Sequence, residues 1–185
     1  KTPLAGIRVV ADILEDGTVT SVDKRHEYHA MLLGECQRLA TLVENVLDLG
    51  RVERGERVYD RRTHDLGALV REVVELFVPA AARSGLVVEQ ACGVPASVRL
   101  DRDAFVQALL NVLDNARKYA AAGGRVEVAQ DGPRVRVRDH GPGIAQEDRE
   151  RVKDRFVRLE KSRSQPGSGL GLSLVSAVAT LHGGS

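Results

Sequence analysis

Cysteine is scarce in this chain: there are two in 185 residues, with Cys36 on a helical apolar face and Cys92 at a strand end. Two buried thiols in a reducing cytosolic compartment are expected, not a disulfide or a metal centre. The histidines His26, His29, His64, His140 and His182 have no metal-ligand spacing with cysteine or carboxylate neighbours, so each reads as a structural residue. No apolar run approaches the length of a membrane span, and no signal peptide is visible. The expectation is a cytoplasmic stretch with no membrane contact of its own, whatever anchor the parent protein carries upstream. An excess of one charge is lacking too, with 27 Lys and Arg against 26 Asp and Glu and a net charge of +1. Nucleic acid is not an expected partner, and any phosphate binding must be local.

What is present suffices for a sizeable core. With 43% hydrophobic and 29% charged residues, the chain can fold as one domain or two small ones. Leu4, Ile7, Ala11 and Leu14 keep helical spacing over Lys1 to Glu15, with Pro3 starting or kinking the helix and Asp16-Gly17 ending it. Thr18 or Ser21 can cap a second helix that runs to about Glu53. Its Leu32, Leu39 and Val46 form one heptad column and Cys36 and Val43 another, widened by Leu33, Ala40 and Leu47. So broad a stripe predicts pairing with a second copy as a four-helix bundle; the alternative is a monomeric hairpin packed on the following domain.

Residues 57–63 are polar and aperiodic and read as a linker. Asp65 to Arg83 is helical, with Leu69, Val73, Leu76 and Phe77 on one face and Pro79 near its end. Leu86 to Gln90 and Ser97 to Leu100 are strand-like. Arg125 to Gln130 and Arg134 to Asp139 alternate apolar with charged residues around an Asp131-Gly132-Pro133 turn, and predict a hairpin. Helical signals return at Gln146 to Phe156 and from Leu170 to His182. Together these predict a mostly antiparallel sheet with helices packed on one face, an α/β sandwich.

Three stretches carry the candidate chemistry. In Gln107 to Tyr119, Phe105, Leu109, Val112, Leu113 and Ala116 mark a buried face, while Asn111, Asn115 and Lys118 share another stripe. Asp101 is a plausible N-cap, and Gly123 and Gly124 close the helix. Asp139-His140-Gly141-Pro142-Gly143-Ile144 follows a strand, and Gly167-Ser168-Gly169-Leu170-Gly171-Leu172 precedes a helix. Asp139 has the parity of Val135 and Val137, which would bury its carboxylate and require a donor. Gly141 and Gly143 leave room for a flat ring against the backbone and permit a sharp turn. An Asp-Gly turn whose carboxylate caps the next segment is the plainer alternative.

In this order and spacing the three stretches resemble the N, G1 and G2 boxes of sensor histidine kinases, whose ATP-binding fold is shared with gyrase, chaperone and mismatch-repair ATPases. Lys1-Thr2-Pro3-Leu4 resembles the end of that family's H box, and Phe156-Val157-Arg158 is similar to its F box. The resemblance implies an α+β protein: a helical hairpin over 1–56, dimerising as a four-helix bundle, a linker over 57–63 and an ATP-binding domain over 64–185 lacking its last strands. It implies ATP and Mg²⁺ as ligands, a homodimer, and a response-regulator receiver domain as partner. Asn115 would coordinate the metal, with Asn111 and Lys118 near phosphate and Tyr119 beside the base. Asp139 would meet the exocyclic amine of adenine, in a pocket with Gly141, Gly143 and Ile144.

The amides of Gly167, Gly169, Leu170, Gly171 and Leu172 would approach phosphate at a helix N-terminus. No Gly-Lys-Ser/Thr follows them, so this is not a Walker motif. Arg158 would reach the terminal phosphate, and Leu159 to Pro166 would act as a lid. The phosphoacceptor histidine would lie three residues before Lys1, leaving this stretch unable to phosphorylate itself. Thr2 matches the threonine of kinases that also dephosphorylate their regulators, or else caps the helix ahead of Pro3. ATPases of the same fold place a glutamate base where this chain has Asn111, which disfavours hydrolysis. A dimeric adaptor that has lost ATP binding is the non-enzymatic alternative.

Overall fold

The chain divides into two units, Lys1–Arg54 and Gly55–Ser185. The structure, a computed structural model, describes residues 3–53, 59–120, 123–159 and 169–184, without the side chains of 3, 38, 41, 42, 44, 45, 48, 49 and 51–53.

In the first unit, α1 (Pro3–Glu15) and α2 (Val22–Glu53) form a hairpin. Gly17 has φ +65°, a left-handed value that suits a residue without a Cβ and ends α1. Ser21 Oγ accepts from the Lys24 N–H at 3.5 Å and caps α2. Along α1 the hairpin buries Val10, while Leu4 and Ala11 of the predicted stripe are exposed. On α2, Leu32 and Leu39 are half-buried, and Leu33, Val43, Val46 and Leu47 are exposed. One copy therefore leaves much of this stripe in water.

The second unit begins with β1 (Arg61–Asp65), so the polar stretch read as linker is in part a strand. Its five residues pair antiparallel with β3 (Ser97–Asp101), and backbone pairing with a distant segment overrides a sequence with no alternating pattern. Asp65 caps α3 (Leu66–Arg83) by accepting from the Ala68 N–H at 3.1 Å. Leu69, Val70, Val73, Val74 and Phe77 are buried, but Leu76 is exposed, one step off that face.

β2 (Val87–Cys92) pairs parallel with β4 (Arg125–Asp131), which pairs antiparallel with β5 (Arg134–Asp139) through the predicted turn. The strands thus form a two-stranded and a mixed three-stranded sheet. α4 (Arg102–Tyr119) buries Leu109, Leu113 and Ala116 in the core shared with α3, Val126 and Val128. A smaller cluster joins Ala104 of α4 to Leu174 and Val178 of α5 (Gly171–Leu181).

Two more expectations are corrected. Residues 146–156 form two three-residue 3₁₀ turns, Gln146–Asp148 and Arg151–Lys153, in place of one helix. Their sequence is polar with no buried residue, so no apolar face repays helix nucleation. Both cysteines are exposed, where burial was expected. Among the described residues no helix is long and apolar enough to cross a membrane.

Candidate functional site

α4 is the spine of the site. Asp101 Oδ1 accepts from the Ala104 N–H at 2.9 Å, the predicted cap, and its Oδ2 accepts from the Asp60 N–H at 2.9 Å. On the stripe above this cap, the Asn111 amide donates to the Gln107 carbonyl at 3.0 Å. Its Oδ1 lies 3.2 Å from the place a Cβ on Gly171 would take, so a bare backbone at Gly171 lets the start of α5 approach Asn111. Asn115 is half-buried, and its side chain makes no hydrogen bond among the described residues. Lys118 is paired with Asp114, which also accepts from Arg117 at 2.6 Å. Burial pushes the Asp114 carboxyl up, but hydrogen bonds and charge from Lys118 and Arg117 outweigh it and hold its pKa below the ordinary value.

The far end of α4 meets the first glycine-rich loop. Tyr119 is partly exposed, and a Cβ on Gly141 would come within 3.0 Å of Ala120 Cβ and of Asp139 Oδ1. Gly143 takes φ +71° and Ile144 is exposed. Asp139 itself departs from the expectation of burial. The parity holds, since Val135 and Val137 pack on the core, but Asp139 is exposed at the end of an edge strand and accepts from the Gly141 N–H at 2.9 Å. The carboxylate thus has a donor within its own turn and keeps further acceptor capacity. Beside it, His140 Nε2 lies 2.7 Å from Glu127 Oε1, and this contact together with nearby arginines draws the Glu127 carboxyl down.

The third contribution comes from Gly169. Its φ is +74°, a Cβ on it would lie 2.8 Å from the Phe156 carbonyl carbon, and its own carbonyl accepts from the Phe156 N–H at 3.0 Å. Phe156 is exposed with φ +59°, uncommon for a bulky residue. Val157 and Arg158 are half-buried. Leu170 is the buried N-cap of α5, and its own side chain makes no capping hydrogen bond; Leu172 is half-buried. Thr2, Gly167 and residues 160–166 of the expected lid lie outside the described residues.

Asn111 and Gly171 are therefore brought together, as are Asp139, Gly141 and Ala120, and Phe156 with Gly169. The sequence reading missed Asp114 and Ala120. Asp114 was signalled by its spacing to Arg117 and Lys118, while Ala120 left no local mark. The arrangement offers a half-buried amide at Asn115, glycine backbones that a Cβ would block, and the N-terminus of α5. That donor set fits a nucleotide: a neutral oxygen at Asn115 for a divalent cation, and backbone N–H groups for anions. Among the described residues no three His, Cys, Asp or Glu side chains are grouped to hold a metal, so the other ligands would be phosphate and water.

Comparison with known proteins adds two family matches. Residues 100–185 match the histidine kinase-, DNA gyrase B- and HSP90-like ATPase family, and residues 1–55 match the His Kinase A (phospho-acceptor) domain. The chain is 31% identical over its whole length to a sensor-like histidine kinase, SenX3, of Mycolicibacterium smegmatis, of which it covers 50%. It is 34% identical, again over its whole length, to the signal transduction histidine-protein kinase/phosphatase MprB of a Mycobacterium species, of which it covers 37%. The chain spans half or less of the length of these two relatives. A solved structure of a mycobacterial sensor histidine kinase, MprB, superposes with a TM-score of 0.56 at 36% identity, covering 68% of this chain and 82% of that one.

Proposed function

Because the chain belongs to the sensor histidine kinases of two-component systems, we propose that it is the kinase core of such a protein. In this reading it binds ATP with Mg²⁺ and passes the terminal phosphoryl group to a histidine upstream of Lys1, then to an aspartate of a response-regulator receiver domain. The observation that carries the proposal is the convergence on α4 of segments distant in sequence, with Asn111 against Gly171 and Ala120 beneath Gly141.

Each residue then has a definite task. Asn115 offers its amide oxygen to Mg²⁺, which when bound neutralises phosphate charge. Asp139 keeps an acceptor for the exocyclic amine of adenine, Gly141 and Gly143 let the ring lie close to the backbone, and Ile144 and Tyr119 provide apolar surface. Gly169, Leu170, Gly171 and Leu172 present N–H groups to phosphate at the start of α5, joined by Gly167. Lys118 and Arg158 supply positive charge. In the transfer, the bond between the terminal phosphorus and its bridging oxygen breaks as a bond to a histidine ring nitrogen forms, and ADP leaves. Catalysis of this kind needs positioning and charge neutralisation more than a base. Asn111 has no basic group, and its amide donates to the Gln107 carbonyl, which counts against activation of water.

In this reading the hairpin of α1 and α2 is the dimerisation element of 1–56, and the catalytic domain expected over 64–185 also takes in the start of β1. Calorimetry with Mg-ATP on Asn115→Ala and Asp139→Ala tests the nucleotide site. Each change should weaken binding by about tenfold or more, the scale of one lost charge-assisted hydrogen bond or metal ligand. Wild-type affinity in both variants would remove the assignment.

A further inference from the structure

His182 lies outside the glycine-rich boxes, yet both of its ring nitrogens are committed. Nδ1 lies 2.8 Å from the Val178 carbonyl, and Nε2 accepts from the Asp101 N–H at 3.0 Å. A backbone N–H can only donate and a carbonyl can only accept, so the ring must be neutral with its proton on Nδ1. An imidazolium has no lone pair for Asp101. The residue that donates to His182 is the one whose carboxylate caps α4 and accepts from Asp60, so a single hydrogen-bond network holds the first turn of α4 and the last turn of α5.

The remaining groups of that last turn are also taken. Gly184 N–H reaches the Ala179 carbonyl at 2.8 Å and Gly183 N–H the Thr180 carbonyl at 3.1 Å, the two bonds of a Schellman motif, with Gly183 at φ +75°. Arg61 of β1 donates to the Leu181 carbonyl at 2.7 Å, and Tyr59 meets the His182 ring edge-on at 5.9 Å. From this junction α4 runs about 14 Å to Asn111 and α5 about 15 Å to Gly171. The helices are antiparallel arms of nearly equal length, joined along their course by Ala104, Leu174 and Val178. At their other end the fit is tight, with 3.2 Å between Asn111 Oδ1 and a Cβ built on Gly171. A slip of α5 along α4 at the His182 end must be felt there.

We propose that His182 is a positioning residue for the nucleotide site, fastening the C-terminal end of α5 to the N-cap of α4 and so setting the register of Gly171 against Asn111. The consequence for nucleotide rests on the kinase reading above, but the coupling between the two ends of α5 does not.

The test uses the chain as it stands. Nitrogen-15 NMR of the wild type should show the Nδ1–H tautomer at His182 with Nε2 unprotonated. His182→Phe keeps the ring and loses both bonds. It should shift the Gly171 backbone and Asn111 side-chain amide resonances, and weaken Mg-ATP binding by about tenfold, the scale of a partly buried hydrogen bond left unmade. His182→Gln, which still offers an acceptor and a donor, should recover most of the affinity. An Nε2–H tautomer, or unmoved Gly171 and Asn111 resonances in a folded His182→Phe chain, would overturn the proposal. So would equal loss in the Phe and Gln variants, which would mark a merely structural residue. A wild type that does not bind Mg-ATP removes the kinase reading instead, and the tautomer and the two resonances still decide the coupling.

Discussion

Asp114 shows how one residue's surroundings become a measurable property. Its carboxylate lies partly buried on α4 between Arg117 and Lys118, on the turn that carries Asn115. Those two partners outweigh burial and lower its pKa below that of an unfolded carboxyl. The folded chain thus binds this proton less readily than the unfolded chain does. The contribution to stability is complete above the ordinary carboxylate value and is lost as pH falls through the depressed folded value. Asp114→Asn cannot titrate, so the acid limb of stability against pH, measured by urea unfolding, should become shallower. An unchanged slope would show that the pair adds nothing at this exposure.

At the scale of elements, strongly periodic segments with caps were legible in the sequence and polar ones were not. α4 appears where its apolar spacing and Asp101 place it, because burial of Leu109, Leu113 and Ala116 and the cap act together. Residues 146–156 lack an apolar face and remain short turns. α2 follows its spacing as well, and leaves Val43, Val46 and Leu47 in water. Val43 is 50% exposed within one copy, so its replacement probes association with little effect on the hairpin. Val43→Asp should convert a dimer to monomers by light scattering, since a charge buried without a partner is costly. A dimer that survives would move the interface off this stripe.

The whole molecule is part of a longer signalling protein in the proposed reading, and the N-terminal Thr2 matters only there. Its place one helical turn beyond the expected phosphoacceptor would let its hydroxyl orient water toward an aspartyl-phosphate. In the full-length parent, Thr2→Ala should slow loss of phosphate from the regulator and leave kinase activity nearly intact. Unchanged dephosphorylation, or a joint fall of both activities with dimer stability, would assign Thr2 to helix capping.

The sequence by itself determined what depends on neighbours within a few residues. Helical spacing put Asn111, Asn115 and Lys118 on one stripe, caps and glycines marked the ends of elements, and alternation with a turn signal marked the β4–β5 hairpin. Only the tertiary structure decided which segments meet. A strand's pattern records alternation but not its partner, so the pairing of β1 with β3 and the parallel pairing of β2 with β4 could not be read locally. Asp139 has the parity of a buried face, yet it sits at the open end of an edge strand, where the Gly141 N–H meets it first. His182 reads as an unremarkable helix-end histidine until folding brings it to Asp101, 81 residues away in sequence. Contacts closed over such distances are selected by the packing of whole faces, and that information is spread over every element that contributes to the core.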